Sequence, residues 1–460
     1  MENHFPTRRL LVFFMLFLVI LDGGIVNLSS VYAIEPLLPQ FEPTTHSSSN
    51  PNLYVSAENS FFKNYFAGPQ VIEVIVSDPD INRLDQAYGE PDVTINGKRL
   101  RMAQASDGNW YAYFADVKQA QIADSTQISG SGKGLDFGKF CSSTSANIAT
   151  GVDFSETNGI SIARSAPGSS DGQISISSTI TATCTGPVDH AVSSITGDKL
   201  NLLNHVVREN KTLNVNAPGN RVGQIATPSY NQAFTEAWPV IQLYDLSGFP
   251  TPVTIQYSKG GSVQSVTLTF DRIPSNLIGI VSNRQYWPRG GQVHGDLLDP
   301  QLNIDPTEED SWTWGTSVSN TTLFYQAFDR SGNLDADGTV GMQNLIGNLS
   351  SMMFNHNGKL TEDPAPQGVV VGRLQSNEVQ KLFKGSDGFL RTKSISGLSI
   401  PITALELQPN VGIFGNYDAN GNAEIVILDN AKLEKSFTVR YNDISYTVLV
   451  RASNAKLTMG

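Results

Sequence analysis

The residues best suited by type and spacing to do chemistry are acidic and sit in turns. In Asn333-Leu334-Asp335-Ala336-Asp337-Gly338, oxygen-bearing side chains occupy positions 1, 3 and 5 of a loop and glycine occupies position 6. Calcium loops of the EF-hand type open this way, because alternating oxygens converge on one ion and glycine allows the sharp turn. Position twelve is Asn344, a neutral ligand where such loops place a bidentate glutamate, and Asp329 is close enough in sequence to contribute. The same string also reads as an acidic turn before a helix, capped by Asp337 or Thr339. Two further loops gather oxygens around an Asp-Pro step: Asp78, Asp80 and Asp85 in the first, Asp299, Asp305, Glu308, Glu309 and Asp310 in the second. Divalent cations could tie such loops together, or the acids could simply be solvated. Calcium is therefore the one cofactor the residues suggest, and no organic cofactor is indicated. Its candidate ligands are Asp329, Asn333, Asp335, Asp337, Asp78, Asp80, Asp299 and Asp305.

Other chemistry finds little support. The six histidines (His4, His46, His190, His205, His294 and His356) include no pair at metal-ligand spacing. Gly130-Ser131-Gly132-Lys133-Gly134 resembles a phosphate loop only briefly. Gln127 stands where the first glycine belongs, and Gly134 replaces the hydroxyl residue that would hold magnesium. There is no nucleophile elbow. Carboxylate pairs are plentiful but none is marked above the rest, so an unrecognised extracellular hydrolase is the weakest reading. Trp110, Trp287, Trp312 and Trp314 read either as core aromatics or as stacking residues for a carbohydrate.

The N-terminus says where the chain goes. Arg8 and Arg9 precede an unbroken apolar run at 10–21, and Val31-Tyr32-Ala33 ends the segment on a small residue. This is a secretory signal peptide over 1–33, with cleavage expected after Ala33. An uncleaved anchor is the alternative. No second apolar span follows, so no membrane span is expected after cleavage. Export makes a disulfide between Cys141 and Cys184 reasonable, with two buried thiols as the other reading. Export also makes Asn210, Asn320 and Asn348 glycan acceptors by their Asn-x-Ser/Thr triplets.

The elements that must carry these residues are mostly strands. After a Pro/Ser/Thr-rich linker at 34–53, short alternating runs bounded by Gly, Pro, Asn or Asp recur at 71–76, 92–95, 110–114, 174–177, 240–244, 253–257 and 266–270. Helical patterns are few, at 116–123, 340–353 and 377–383. A repeat organises the chain. Tyr65-Phe66-Ala67-Gly68-Pro69-Gln70-Val71 followed by Asp78-Pro79-Asp80-Ile81-Asn82 returns as Tyr286-Trp287-Pro288-Arg289-Gly290-Gly291-Gln292-Val293 followed by Asp299-Pro300-Gln301-Leu302-Asn303. Each copy closes on a hairpin, turning at Gly260-Gly261 and at Asn442-Asp443. The expected fold is all-β: tandem immunoglobulin-like β-sandwich units over 54–273 and 276–454, with short helical insertions. The first unit is the longer, through a cysteine-containing insertion at about 125–235. Charged residues are 16% of the 460, and the net charge is -12. That sign argues against nucleic acid as a partner.

At these same residues the chain resembles the S-layer (cell-surface lattice) proteins of ammonia-oxidising archaea. The matching strings are Gly89-Glu90-Pro91-Asp92-Val93-Thr94-Ile95-Asn96-Gly97-Lys98, Asp107-Gly108-Asn109-Trp110-Tyr111-Ala112-Tyr113-Phe114-Ala115-Asp116, Asp299-Pro300-Gln301-Leu302-Asn303 with Asp305-Pro306-Thr307, and Gly412-Ile413-Phe414-Gly415-Asn416-Tyr417-Asp418. They run in order from about residue 54 onward and resemble the N-terminal part of the longer lattice proteins, which carry many repeats where this chain has two. The resemblance implies tandem immunoglobulin-like domains, glycosylation, and assembly with itself or with longer S-layer proteins into a porous coat outside the membrane. It also implies a negatively charged array that favours passage of small cations such as ammonium over the anionic oxidation product. On this reading the chain is a structural, non-enzymatic, secreted cell-surface component. The alternative is a secreted adhesion or carbohydrate-binding protein built on the same domains.

Overall fold

Alternation along the strands decides which faces meet. The computed structural model describes residues 50–86, 88–126, 134–162, 184, 205–209, 211–214, 228–249, 252–325, 343–354, 358–363, 370–372, 401–417, 421, 423–427, 429 and 431–452. In the first half the strands are β1 (Leu53–Val55), β2 (Tyr65–Phe66), β3 (Ile72–Val76), β4 (Asp92–Ile95), β5 (Lys98–Arg99), β6 (Ala103–Gln104), β7 (Trp110–Asp116), β8 (Lys139–Cys141), β9 (Ile160–Ile162), β10 (Val240–Tyr244), β11 (Val253–Lys259) and β12 (Ser262–Phe270). They form two sheets. One runs β1-β3-β7-β10-β9-β8, with β6 also on β7, and the other runs β2-β12-β11-β4-β5. Val253, Ile255 and Tyr257 of β11 point inward while Gln256 and Ser258 are exposed. They face Ile72, Val74 and Val76 of β3 across one apolar core. Each aliphatic side chain so buried contributes roughly 1.5–3 kcal/mol. β7 is buried along its whole length. Its Trp110, Ala112 and Phe114 enter that core, and its Tyr111, Tyr113 and Ala115 enter a second one.

The second half contributes β13 (Gly279–Ser282), β14 (Tyr286–Trp287), β15 (Gln292–Val293), β16 (Gly295–Leu298), β17 (Ser311–Ser317), β18 (Asn320–Tyr325), β19 (Leu360–Asp363), β20 (Val370–Gly372), β21 (Pro401–Glu406), β22 (Ile413–Gly415), β23 (Ile425–Ile427), β24 (Ser436–Tyr441) and β25 (Ile444–Val450). Its sheets run β13-β16-β22-β21-β17-β18, β14-β25-β24-β19 and β15-β23-β20. The molecule is thus an all-β sandwich protein. The named sheets divide between β12 and β13, where the repeat places its boundary. The second apolar core nevertheless runs from the first half into the second.

The repeat is visible in the topology. In each half the short strand before the Pro/Gly turn, β2 or β14, pairs in parallel with the last strand, β12 or β25. The last strand then pairs with β11 or β24, which pairs with β4 or β19. Both closing hairpins turn at the expected residues. Gly260 and Gly261 have φ of +49° and +96°, and Asn442 has φ of +51°. A two-residue hairpin turn of that hand needs such angles, which glycine and asparagine adopt at least cost.

Among the described residues three helices lie in the first half: α1 (Val117–Asp124), α2 (Ser143–Thr150) and α3 (Pro228–Ala237). α1 matches the pattern at 116–123, and the Asp116 carboxylate caps it by accepting from the Lys118 and Gln119 amides. The insertion is no appended loop. Its strands β8 and β9 extend the larger sheet, and β9 pairs with β10. Of the helix expected at 340–353, the described part holds a short 3-10 turn, Leu349–Met352. The expectations at 174–177 and 377–383 lie outside the described residues, as does the segment 1–33 with Ala33. No helix among the described residues is long and apolar enough to cross a membrane.

Candidate functional site

The first Asp-Pro loop leaves β3 and is tied to both sheets of its half. The Asp78 carboxylate accepts from the Asp80 amide at 3.0 Å, the Tyr257 hydroxyl at 2.7 Å and the Lys259 ammonium at 2.7 Å. Lys259 also reaches Asp80 at 2.8 Å. Tyr257 and Lys259 belong to β11. From the other sheet, the Trp110 indole on β7 donates to the Ile81 carbonyl at 3.1 Å. Burial alone would raise the Asp78 carboxyl. The hydrogen bonds from Lys259, Tyr257 and the Asp80 amide outweigh that and hold it below its ordinary value.

The second Asp-Pro loop repeats the construction at matching positions. Asp299 accepts from the Gln301 amide and the Gln301 side chain, both at 3.0 Å, and from the Tyr441 hydroxyl at 2.7 Å. Tyr441 lies on β24, the counterpart of β11. The Trp312 indole on β17 donates to the Leu302 carbonyl at 2.8 Å. Leu302 stands three residues after Asp299, as Ile81 stands three after Asp78. Burial, and then the Asp299 charge, push the Tyr441 hydroxyl well above its ordinary value. In both halves, then, an aspartate takes a tyrosine from one sheet, and the carbonyl three residues on takes a tryptophan from the other.

Asp305 and Asp310 lead elsewhere, to a socket that holds Arg208. The Arg208 amide donates to Asp305 at 2.8 Å, and its side-chain Nε lies 3.4 Å from Asp305 and 3.5 Å from Glu308. Nη1 lies 3.4 Å from Asp310, and Nη2 donates to the Glu309 carbonyl at 2.8 Å. Arg208 also donates to the Tyr325 hydroxyl, which donates onward to Asp310 at 2.6 Å. Asp310 further accepts from the amides of Ile304 and Asp305. Behind it, Glu406 on β21 accepts from the Gly412 amide at 2.8 Å and the Asp310 amide at 3.3 Å. Burial pushes Asp310 up to about 7, with Arg208 opposing, and raises Asp305 as well. Burial works against the Arg208 charge, and Tyr325, Asp305 and Asp310 outweigh it.

Among the described residues eight acids of the second half are buried: Asp296, Asp299, Asp305, Glu308, Asp310, Glu362, Glu406 and Glu424. The same half buries no Lys or Arg among its described residues. Asp305 was expected as a loop ligand, but nothing in the sequence around Arg208, Tyr325 or Glu406 points to the socket, since 97 residues separate Arg208 from Asp305.

Of the candidate cation ligands, Asp78 and Asp80 come together, on an ammonium. Asp299 and Asp305 are placed apart, one on Tyr441 and the other on Arg208. Asp329, Asn333, Asp335 and Asp337 lie outside the described residues. Among the described residues no three of His, Cys, Asp and Glu are grouped to hold a metal ion. Asp85 pairs with Arg83 at 2.6 Å on the surface. Cys141 and Cys184 are joined in a disulfide. His205 pairs with Asp136 at 3.0 Å, and His294 lies 2.7 Å from the Gly421 carbonyl. Asn320 is exposed at the start of β18, Asn348 is half-buried, and Asn210 lies outside the described residues. Trp110, Trp287, Trp312 and Trp314 are at most 1% exposed. No protein-family model and no curated protein sequence matches this chain.

Proposed function

We propose that the chain is a structural, non-enzymatic component of an acidic protein coat outside the cell. The observation that carries this reading is the twice-built Asp-Pro loop. The leading aspartates of these two loops are occupied in holding sheets together, in the same way in both halves. A tandem of such units is suited to bear load and to pack edge to edge. The resemblance to surface-lattice proteins supplies the setting, and the net charge of -12 supplies a field that favours small cations near the coat. The adhesion or carbohydrate-binding alternative gains nothing from the four tryptophans, whose faces are inside the cores.

Sedimentation of the purified chain over a range of concentrations, with glycan-array binding alongside, tests the choice. Growth of large oligomers without glycan binding is expected. A monomer at every concentration that binds glycans would replace the proposal by its alternative. Calcium binding belongs in this proposal to the string at 333–338, because the Asp-Pro carboxylates already have partners. Asp335→Ala with Asp337→Ala should lower the melting temperature in calcium and leave it unchanged in chelator. Equal loss in both would reject ion binding there.

A further inference from the structure

The shared register lets the cores of the two halves be matched position by position. Tyr257 and Tyr441 hold the loop aspartates, so Ile255 of β11 corresponds to Val439 of β24. Ile255 pairs with Ile95 on one side and Val266 on the other, and Val439 pairs with Glu362 and Tyr446. On the facing sheet, counting from Asp78 and Asp299, Val74 corresponds to Gly295. Counting from Trp110 and Trp312, Phe114 corresponds to Thr316. Ile95, Val266, Val74 and Phe114 all lie in the first apolar core. One level of that core is thus rebuilt in the second half from a carboxylic acid, a phenol, a glycine and a hydroxyl.

The changes answer one another. A Cβ on Gly295 would lie 2.5 Å from the Tyr446 hydroxyl, so the tip of the tyrosine stands where a side chain would begin. Glu362 is 1% exposed, and both its carboxylate oxygens are buried with no hydrogen-bond partner. Burial raises its carboxyl, and the nearby Thr316 hydroxyl opposes the rise. A cavity of about 20 Å³ opens between the sheets at this level. Its wall includes Leu360, two residues before Glu362 on the same face of β19, with Val439, Gly295 and Tyr446. One water needs about 10–15 Å³ of such space and two to four polar partners. We infer that this level of the second sandwich is a binding site for one water molecule, held by the Glu362 carboxyl and the Tyr446 hydroxyl, where the first sandwich has Ile95 and Val266. Water both donates and accepts, so it suits Glu362 with or without its proton, whereas a cation suits only the ionised form. The cavity wall also includes apolar side chains such as Ile280, Leu297 and Phe414, which offer a metal ion no ligand.

Crystal structures at atomic resolution of full-length wild type, Glu362→Leu and Glu362→Gln test this. In wild type one solvent peak should lie in the cavity, about 2.5–3.0 Å from a Glu362 oxygen. Glu362→Leu should lose the peak, because the water then keeps too few polar partners. Glu362→Gln, which still donates and accepts, should keep it. A dry wild-type cavity overturns the inference, and so does a peak that survives in Glu362→Leu. Crystals grown with rubidium in place of sodium and potassium separate a water from an ion. An anomalous signal in the cavity would make the guest a monovalent cation and overturn the inference as well. Should Glu362→Leu not fold, the wild-type and Glu362→Gln maps decide alone, a peak in both supporting the site and its absence from either overturning it.

Discussion

At the residue scale, the same side-chain pattern can serve an ion or a fold, and the donors that arrive from elsewhere decide which. Asp78 and Asp299 sit in strings whose alternating oxygens suit calcium, but Tyr257 lies 179 residues from the first and Tyr441 lies 142 from the second. No local reading of the chain contains those partners. If these aspartates act as ties between sheets, Tyr257→Phe and Tyr441→Phe should each lower unfolding free energy by about 1–3 kcal/mol, measured by denaturant titration, with no dependence on calcium. Loss confined to calcium-containing buffer would contradict that role. A second residue-scale expectation concerns Glu362 on β19. Burial pushes its carboxyl from 4.5 up to about 8, with the Thr316 hydroxyl opposing. Over that window the unfolded chain is ionised while the folded chain keeps its proton, so stability falls as pH rises. Glu362→Gln should flatten the fall, by on the order of a few kcal/mol at the alkaline end, in unfolding curves recorded across pH. An unchanged slope would mean that Glu362 ionises normally in the fold.

At the element scale, much of the architecture was legible. The runs at 71–76, 92–95, 110–114, 240–244, 253–257 and 266–270 all coincide with strands, and both hairpin turns fall at the expected Gly-Gly and Asn-Asp pairs. Period-2 alternation and turn chemistry are local signals, so one chain suffices to show them. The insertion was harder to read. β8 and β9 are three residues each; β9 finds its sheet partner in β10, about eighty residues on in sequence, and β8 pairs with β9. α3 does carry a helical spacing in Tyr230, Ala233, Phe234 and Ala237, a signal in 228–237 that the expectation of few helices passed over. The disulfide, by contrast, was expected from the cysteine count and the signal-like N-terminus, and it ties Cys184 to β8 within this same insertion. Closing a loop of 43 residues should contribute about 4 kcal/mol by restricting the unfolded chain. Replacing both Cys141 and Cys184 by Ser should therefore lower the melting temperature clearly, as calorimetry would show. An unchanged transition would mean that the bridge constrains nothing the fold does not already hold.

At the scale of the whole molecule, the two halves are copies in construction but not in electrostatics. Both carry the Asp-Tyr and Trp-carbonyl ties. Among the described residues the second buries eight acids against five in the first, and the arginine that answers three of the eight comes from the first. The repeat was readable because it is written twice in order. The charge imbalance was not, because burial is a property of the packed sheets and not of any string. The proposed role in a coat rests on the acids of the two Asp-Pro loops, which are committed to the chain's own framework. Electron microscopy of the purified full-length chain tests that claim most directly. Extended ordered sheets of the protein are the predicted result, and a field of separate single molecules under every solution condition would contradict it.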